Sequence, residues 1–220
     1  MNNFTTKLIE LLKPYHLLSH PFYEAWSCGA LDIEILKSYA CQYFQHVNAF
    51  PRYLSAIHTN CKDIKTRQVI LDNLVDEEKG DENHPELWAR FAEALGVTRE
   101  ELNTAEVSPE TNNLVSTFFK LSQSSVAEGI GALFTYEYQV PSVAKSKIEG
   151  LAEFYGIAEE RGTKFFTVHM SADEWHSEEC ANLLNQLTAS EQEKAQEAAL
   201  TAAKALWQFL DGMEKIRVLH

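Results

Sequence analysis

The 220-residue chain has four cysteines, Cys28, Cys41, Cys61 and Cys180, with no C-x-x-C pair and no close spacing among them. A chain of this size buries about 70% of its unfolded surface. The scattered cysteines therefore read as reduced thiols in a reducing compartment, not as a disulfide framework. Long apolar runs are missing too. None approaches the ~18 uncharged residues that would span a bilayer, so no membrane association is expected. The first residues, Met1-Asn-Asn-Phe-Thr-Thr-Lys-Leu-Ile-Glu10, lack the continuous apolar stretch of a secretory signal, and a cytoplasmic location is expected. Positive charge is scarce: 19 Lys and Arg stand against 32 Asp and Glu, a net charge of −13. Phosphate backbones and anionic membrane surfaces would be repelled, which argues against nucleic acid as a partner. No segment keeps strand alternation, and no internal repeat, low-complexity tract or dividing linker is present.

What remains is helical periodicity. The pattern predicts a single all-α domain over residues 1–220, a helical bundle. Thr5 to Leu12 forms a short amphipathic helix stopped by Pro14, and Pro21 opens another that Gly29 closes. Asp32 caps a long helix through Phe44, with a kink or restart at Pro51 and a continuation to Asn60. Helices follow over Asp63 to Glu78 and Glu86 to Leu95. Thr98-Arg-Glu-Glu101 is a capping box, and Ser108-Pro109 starts a helix to Leu121. Ser125 to Gly150 reads as one long apolar helix, in which Gly129 and Gly131 point to a closely approaching neighbour or to a break. Glu159 to Leu187 comes next, and Ser190-Glu-Gln-Glu193 caps a last helix to Lys215.

Chemistry concentrates in His169-Met-Ser-Ala-Asp173-Glu-Trp-His176. On a helix, Asp173 lies about 40° round from His169, and His176 about 20° short of it. Two imidazoles and a carboxylate thus share one face, a donor mixture suited to iron, manganese or zinc. A solvated polar face is the competing reading. Two further segments could supply partners. In Asp76-Glu77-Glu78-Lys79-Gly80-Asp81-Glu82-Asn83-His84, Glu77 and His84 would share a face only on an unbroken helix, which Gly80 and Pro85 oppose. In Leu133-Phe-Thr-Tyr136-Glu137-Tyr-Gln-Val-Pro141, Glu137 is a lone acid in an apolar helix. Burial would oblige it to find a cation, a proton or a base. Pro141 displaces the carbonyl of Glu137, four residues earlier. A protonated or arginine-paired glutamate is the alternative.

At this point the chain resembles a known family. His20-Pro-Phe-Tyr-Glu-Ala-Trp26, Ala49-Phe-Pro-Arg-Tyr-Leu-Ser-Ala-Ile-His58, Leu71-Asp-Asn-Leu-Val-Asp-Glu-Glu78, Asn83-His84, Tyr136-Glu-Tyr-Gln-Val-Pro141 and the His169–His176 stretch together are similar to the heme-oxygenase-like di-metal oxidase superfamily. Within it they resemble the subgroup of the chlamydial death-domain-associating protein. Thiaminase-like and pyrroloquinoline-quinone-synthesis proteins share less, chiefly the His-Pro-Phe opening. The resemblance implies a bundle of seven to eight helices holding two metal ions, Fe/Fe or Fe/Mn, on Glu77, His84, Glu137, His169, Asp173 and His176. It implies an oxygenase that uses O2 and an external reductant to make para-aminobenzoate for folate synthesis, consuming its own tyrosine in a single turnover. The matching tyrosine is Tyr23, and the lysine matching the family's amine donor is Lys147. By analogy Tyr39, Tyr43 and Tyr136 would relay oxidation. On residue grounds alone Tyr23 is a half-buried bundle tyrosine, Lys147 a solvent-facing lysine between Lys145 and Glu149, and the other tyrosines core. Pro85 directly after His84 departs from the family pattern. Two other readings stay open, a di-metal oxidase of an external small molecule and a non-enzymatic interaction protein, as does assembly into a homodimer.

Overall fold

Most helices begin where a short polar side chain can cap them. Asn3, Asp32, Asp63, Asn83, Thr98, Ser108 and Ser125 each accept a backbone N–H from the first turn that follows. The computed structural model describes the backbone of residues 3–219 and the side chains of 3–170 and 175–218. Among these residues the elements are α1 (Phe4–Leu12), α2 (Pro21–Ser27), α3 (Ile33–Asn60), α4 (Ile64–Glu78), α5 (His84–Ala94), α6 (Arg99–Thr104), α7 (Pro109–Ser124), α8 (Val126–Glu137), α9 (Val140–Phe154), α10 (Glu160–Gln186) and α11 (Ala189–Leu219). Two short 3-10 turns link α1 to α2, and no strand occurs among the described residues.

The all-α reading holds, but the described residues form eleven helices where seven or eight are expected. One boundary accounts for one of the additional helices. The segment from Ser125 to Gly150 is two helices, because the Pro141 ring would strike the Glu137 carbonyl inside a continuous one. α8 instead stops at Glu137, and Pro141 sits harmlessly in the first turn of α9. The buried Gln139 side chain holds this joint: its amide donates to the Thr135 carbonyl (2.9 Å) and accepts the Leu17 N–H (2.8 Å). Pro51 behaves in the opposite way. α3 runs through it for 28 residues, since Val47, Phe50, Leu54 and Ile57 around it are all buried, and their packing outweighs one lost hydrogen bond. The last helix also starts earlier than expected. Thr188 and Glu191, rather than Ser190 and Glu193, form its capping pair.

α8 lies at the centre, packed against α7, α10, α11 and α3. Its glycines mark close approach, not a break. A β-carbon at Gly131 would collide with the Ala195 carbonyl of α11, and one at Gly129 with the Ile57 side chain of α3. The end of α8 sits deep in the bundle, where Glu137 meets Asn73 of α4 and Cys180 of α10. No helix among the described residues is long and apolar enough to cross a membrane.

Candidate metal centre

Glu77, on the last turn of α4, is buried, as are His84, the first residue of α5, and His169 on α10. One ligand atom from each lies within 4.8 Å of the others. The turn between α4 and α5 makes this possible. Gly80 takes a left-handed φ of +85°, and Asn83 caps α5, so the chain reverses and His84 returns beside Glu77. The His84 Nδ1 approaches Glu77 Oε2 at 2.7 Å, and the His84 and His169 rings are 4.3 Å apart between centroids. Glu77 and His84 thus share a site from two helices, not a face on one. Pro85 occupies the first turn of α5, where its missing N–H costs nothing.

His169 Nδ1 lies 2.6 Å from the Phe165 carbonyl, one turn back. Donation there leaves Nε2 as the ligand nitrogen. Burial, reinforced by the neighbouring His84, holds His169 well below the ordinary histidine range and keeps it in the neutral form that ligates. One carboxylate and two imidazoles converging in a buried space fit a divalent transition-metal ion.

Glu137 and His176 stand outside that group of three, yet the same end of α4 reaches both. The Asn73 amide donates to Glu137 Oε1 at 2.6 Å, and Asp76 Oδ2 lies 3.1 Å from His176 Nε2. Asn73, Asp76 and Glu77 are spaced i, i+3, i+4, so one helix face touches α8, α10 and α5 together. The Cys180 thiol approaches Glu137 Oε2 at 3.2 Å. Asp173, expected between His169 and His176, lies outside the described side chains. Asn73 and Asp76 carry no spacing signal, because each finds its partner on a different helix. Only Cys180 offered a hint: it continues the His169–Asp173–His176 face at one further turn.

A second cluster adjoins the first. Tyr23 and Lys147 are both buried, against the half-buried and solvent-facing positions that residue types alone suggest. Lys147 Nζ donates to the Tyr39 hydroxyl at 2.6 Å, and the Tyr39 and Tyr23 hydroxyls are 2.9 Å apart. The Lys147 Nζ also lies 5.3 Å from the Tyr23 ring centre and 4.9 Å from that of Tyr39. Burial pulls its ammonium down to about 7. Burial likewise pushes the Tyr23 phenol well up, so it stays protonated at neutral pH. Tyr39 stacks on Tyr43 at 5.4 Å, and the Tyr43 hydroxyl donates to Tyr136 at 3.1 Å, next to Glu137 in sequence. A cavity of about 10 Å³ joins the clusters, with Lys147, Tyr43, Tyr136 and His169 in its wall.

Comparisons with known proteins agree with an iron-containing redox centre in a helical bundle. Residues 37–209 match the family described as iron-containing redox enzymes. The chain belongs to this heme-oxygenase-like family, and so to a class of metal-dependent redox enzymes. The 4-aminobenzoate synthase of Chlamydia muridarum is 43% identical over 210 residues, 95% of this chain and 89% of that protein. That of Nitrosomonas europaea is 42% identical, covering 97% and 92%. The pyrroloquinoline-quinone synthase of Klebsiella pneumoniae is more distant at 23% identity, covering 90% and 81%. Among solved structures, a heme-oxygenase-like domain from Shewanella denitrificans superposes with a TM-score of 0.82 at 15% identity, covering 98% of this chain and 92% of that one. A TenA homologue from Pseudomonas syringae gives 0.81 at 19%, covering 96% and 93%. These last two speak to the fold alone.

Proposed function

We propose that this chain is an oxygen-dependent 4-aminobenzoate synthase that consumes its own Tyr23 in a single turnover, with Lys147 as the nitrogen donor. The metal centre would hold two ions, Fe/Fe or Fe/Mn, on Glu77, His84, Glu137, His169, Asp173 and His176. When loaded and supplied with O2 and an external reductant, such a centre provides oxidising equivalents. The observation that carries the reading is the buried Lys147–Tyr39–Tyr23 chain: an amine close to half neutral at pH 7 sits over the tyrosine ring.

Tyrosine already holds the aromatic ring with a carbon para to its oxygen. Conversion breaks the Cα–Cβ bond, oxidises Cβ to a carboxylate and exchanges the phenol oxygen for nitrogen. The residues here suit those demands. Lys147 in its neutral form has a free electron pair for attack on a ring oxidised by two electrons, and burial supplies that form. The phenol oxygen leaves as water, and the new imine shifts its double bond to Cε. Hydrolysis then breaks the Cε–Nζ link and leaves an aldehyde at position 147. Tyr39 passes a proton between Lys147 and Tyr23 through its hydroxyl. Tyr136, Tyr43 and Tyr39 form a line of contacts leading from the neighbour of Glu137 to Tyr23. The surrounding rings exclude water, which would otherwise compete with the amine.

An external aromatic substrate is the second reading for the same centre. The cavity between His169 and Lys147 weighs against it. Its volume of about 10 Å³ is at the threshold for one water, far below the several hundred Å³ of ordinary ligand sites. A Tyr23→Phe protein reconstituted with iron(II) and manganese(II), then given O2 and reductant, is expected to make no 4-aminobenzoate. Normal product from that variant would exclude Tyr23 as the source.

A further inference from the structure

Glu137 poses a problem that its neighbours solve in an unusual way. It is 1% exposed at the end of an apolar helix, where a carboxylate without donors is costly. Asn73 of α4 and Cys180 of α10 are equally buried, at 3% and 1%. The Asn73 amide donates to one carboxylate oxygen at 2.6 Å, and the Cys180 thiol to the other at 3.2 Å. We propose that Asn73 and Cys180 are positioning residues which clamp Glu137 for the metal centre, an inference that rests on the two-metal reading.

Three features favour a clamp over incidental packing. Both donors are neutral. They fix the orientation of the carboxylate while leaving its negative charge for a cation, whereas an arginine or lysine would neutralise it. The Asn73 amide also accepts a cost to be there. Its carbonyl oxygen is buried without a hydrogen-bond partner among the described residues, a penalty that leucine of similar size would avoid. Placement agrees. Asn73 lies one turn before Glu77, and Cys180 one turn after His176, so the clamp is built on the helices that carry the other ligands.

The test is a titration of anaerobic full-length protein with manganese(II) alone, with free ion followed by electron paramagnetic resonance. Wild type should take up two equivalents. In Asn73→Leu and in Cys180→Ala, one equivalent should weaken about 10- to 100-fold while the other is unchanged. Cys180→Ser should restore wild-type binding, because its hydroxyl donates in place of the thiol. Wild-type constants in both disrupted variants would overturn the clamp. So would a Cys180→Ser protein no better than Cys180→Ala, or equal weakening of both equivalents alongside a lowered melting temperature. Wild type binding fewer than two equivalents would overturn the two-metal reading and the clamp with it.

Discussion

Lys147 and His46 are both bases held in the core with little affinity for protons, and the sign of their effect on stability is the same in different pH windows. Lys147 falls from 10.5 to about 7 through burial. Between those values the unfolded chain binds the proton that the folded chain refuses, so stability rises with pH from 7 to 10.5 and is lost as pH falls back. Lys147→Met should flatten that slope in urea titrations, with a difference on the order of a few kcal/mol across the window. Product formation should follow the neutral amine and rise with pH through about 7, measured as single-turnover yield. His46 is surrounded by Phe50, Tyr53, Phe118 and Tyr136. Neither of its nitrogens has a hydrogen-bond partner among the described residues, and burial holds it at about 3. Its contribution is lost as pH drops from 6.5 towards 3, at about 1.4 kcal/mol per pH unit. His46→Phe should remove that part of the acid sensitivity; an unchanged acid limb would contradict it. At this scale the sequence singled out His169 and His176 through helical spacing, and Glu137 through its isolation among apolar residues; all three are buried. Burial of Tyr23 and Lys147 was not legible, since nothing local distinguishes a core lysine from a surface one. Asn73, Asp76 and Cys180 were missed because their partners are 64, 100 and 43 residues away.

Helix starts were readable because capping is local chemistry: Asp63, Thr98 and Ser108 all cap where expected. Helix interruptions were not, because packing decides them. Pro51 is absorbed by the core around α3, whereas Pro141 ends up dividing α8 from α9 and fixes Glu137 at a helix end. The glycines of α8 make the role of packing measurable. Helix propensity alone gives Gly131→Ala a gain of ~1 kcal/mol. The Ala195 carbonyl leaves no room for the methyl, so a net loss of about 1–3 kcal/mol is expected in chemical denaturation. A stabilised Gly131→Ala protein would mean that α8 and α11 are not packed this closely. Thr188→Ala should cost about 1 kcal/mol, with Ser190→Ala close to neutral, as the observed cap of α11 requires.

For the whole molecule, the bundle brings α4, α5, α8 and α10 to one buried point and sets the aromatic cluster of α2, α3 and α9 beside it. Composition and periodicity carried the all-α class. The approach of His84 to Glu77 and His169 depended on a tight reversal at Gly80, which spacing does not encode. That geometry places an amine and a tyrosine where an external substrate has little space, and the account stands on the consequence. The most direct measurement is intact-mass analysis of the reconstituted protein before and after exposure to O2 and reductant, with metal and 4-aminobenzoate quantified on the same sample. Two metal ions per chain are expected beforehand. Afterwards a loss of mass localised to Tyr23 is expected, matched by at most one 4-aminobenzoate per chain. Several products per chain with Tyr23 intact would contradict this.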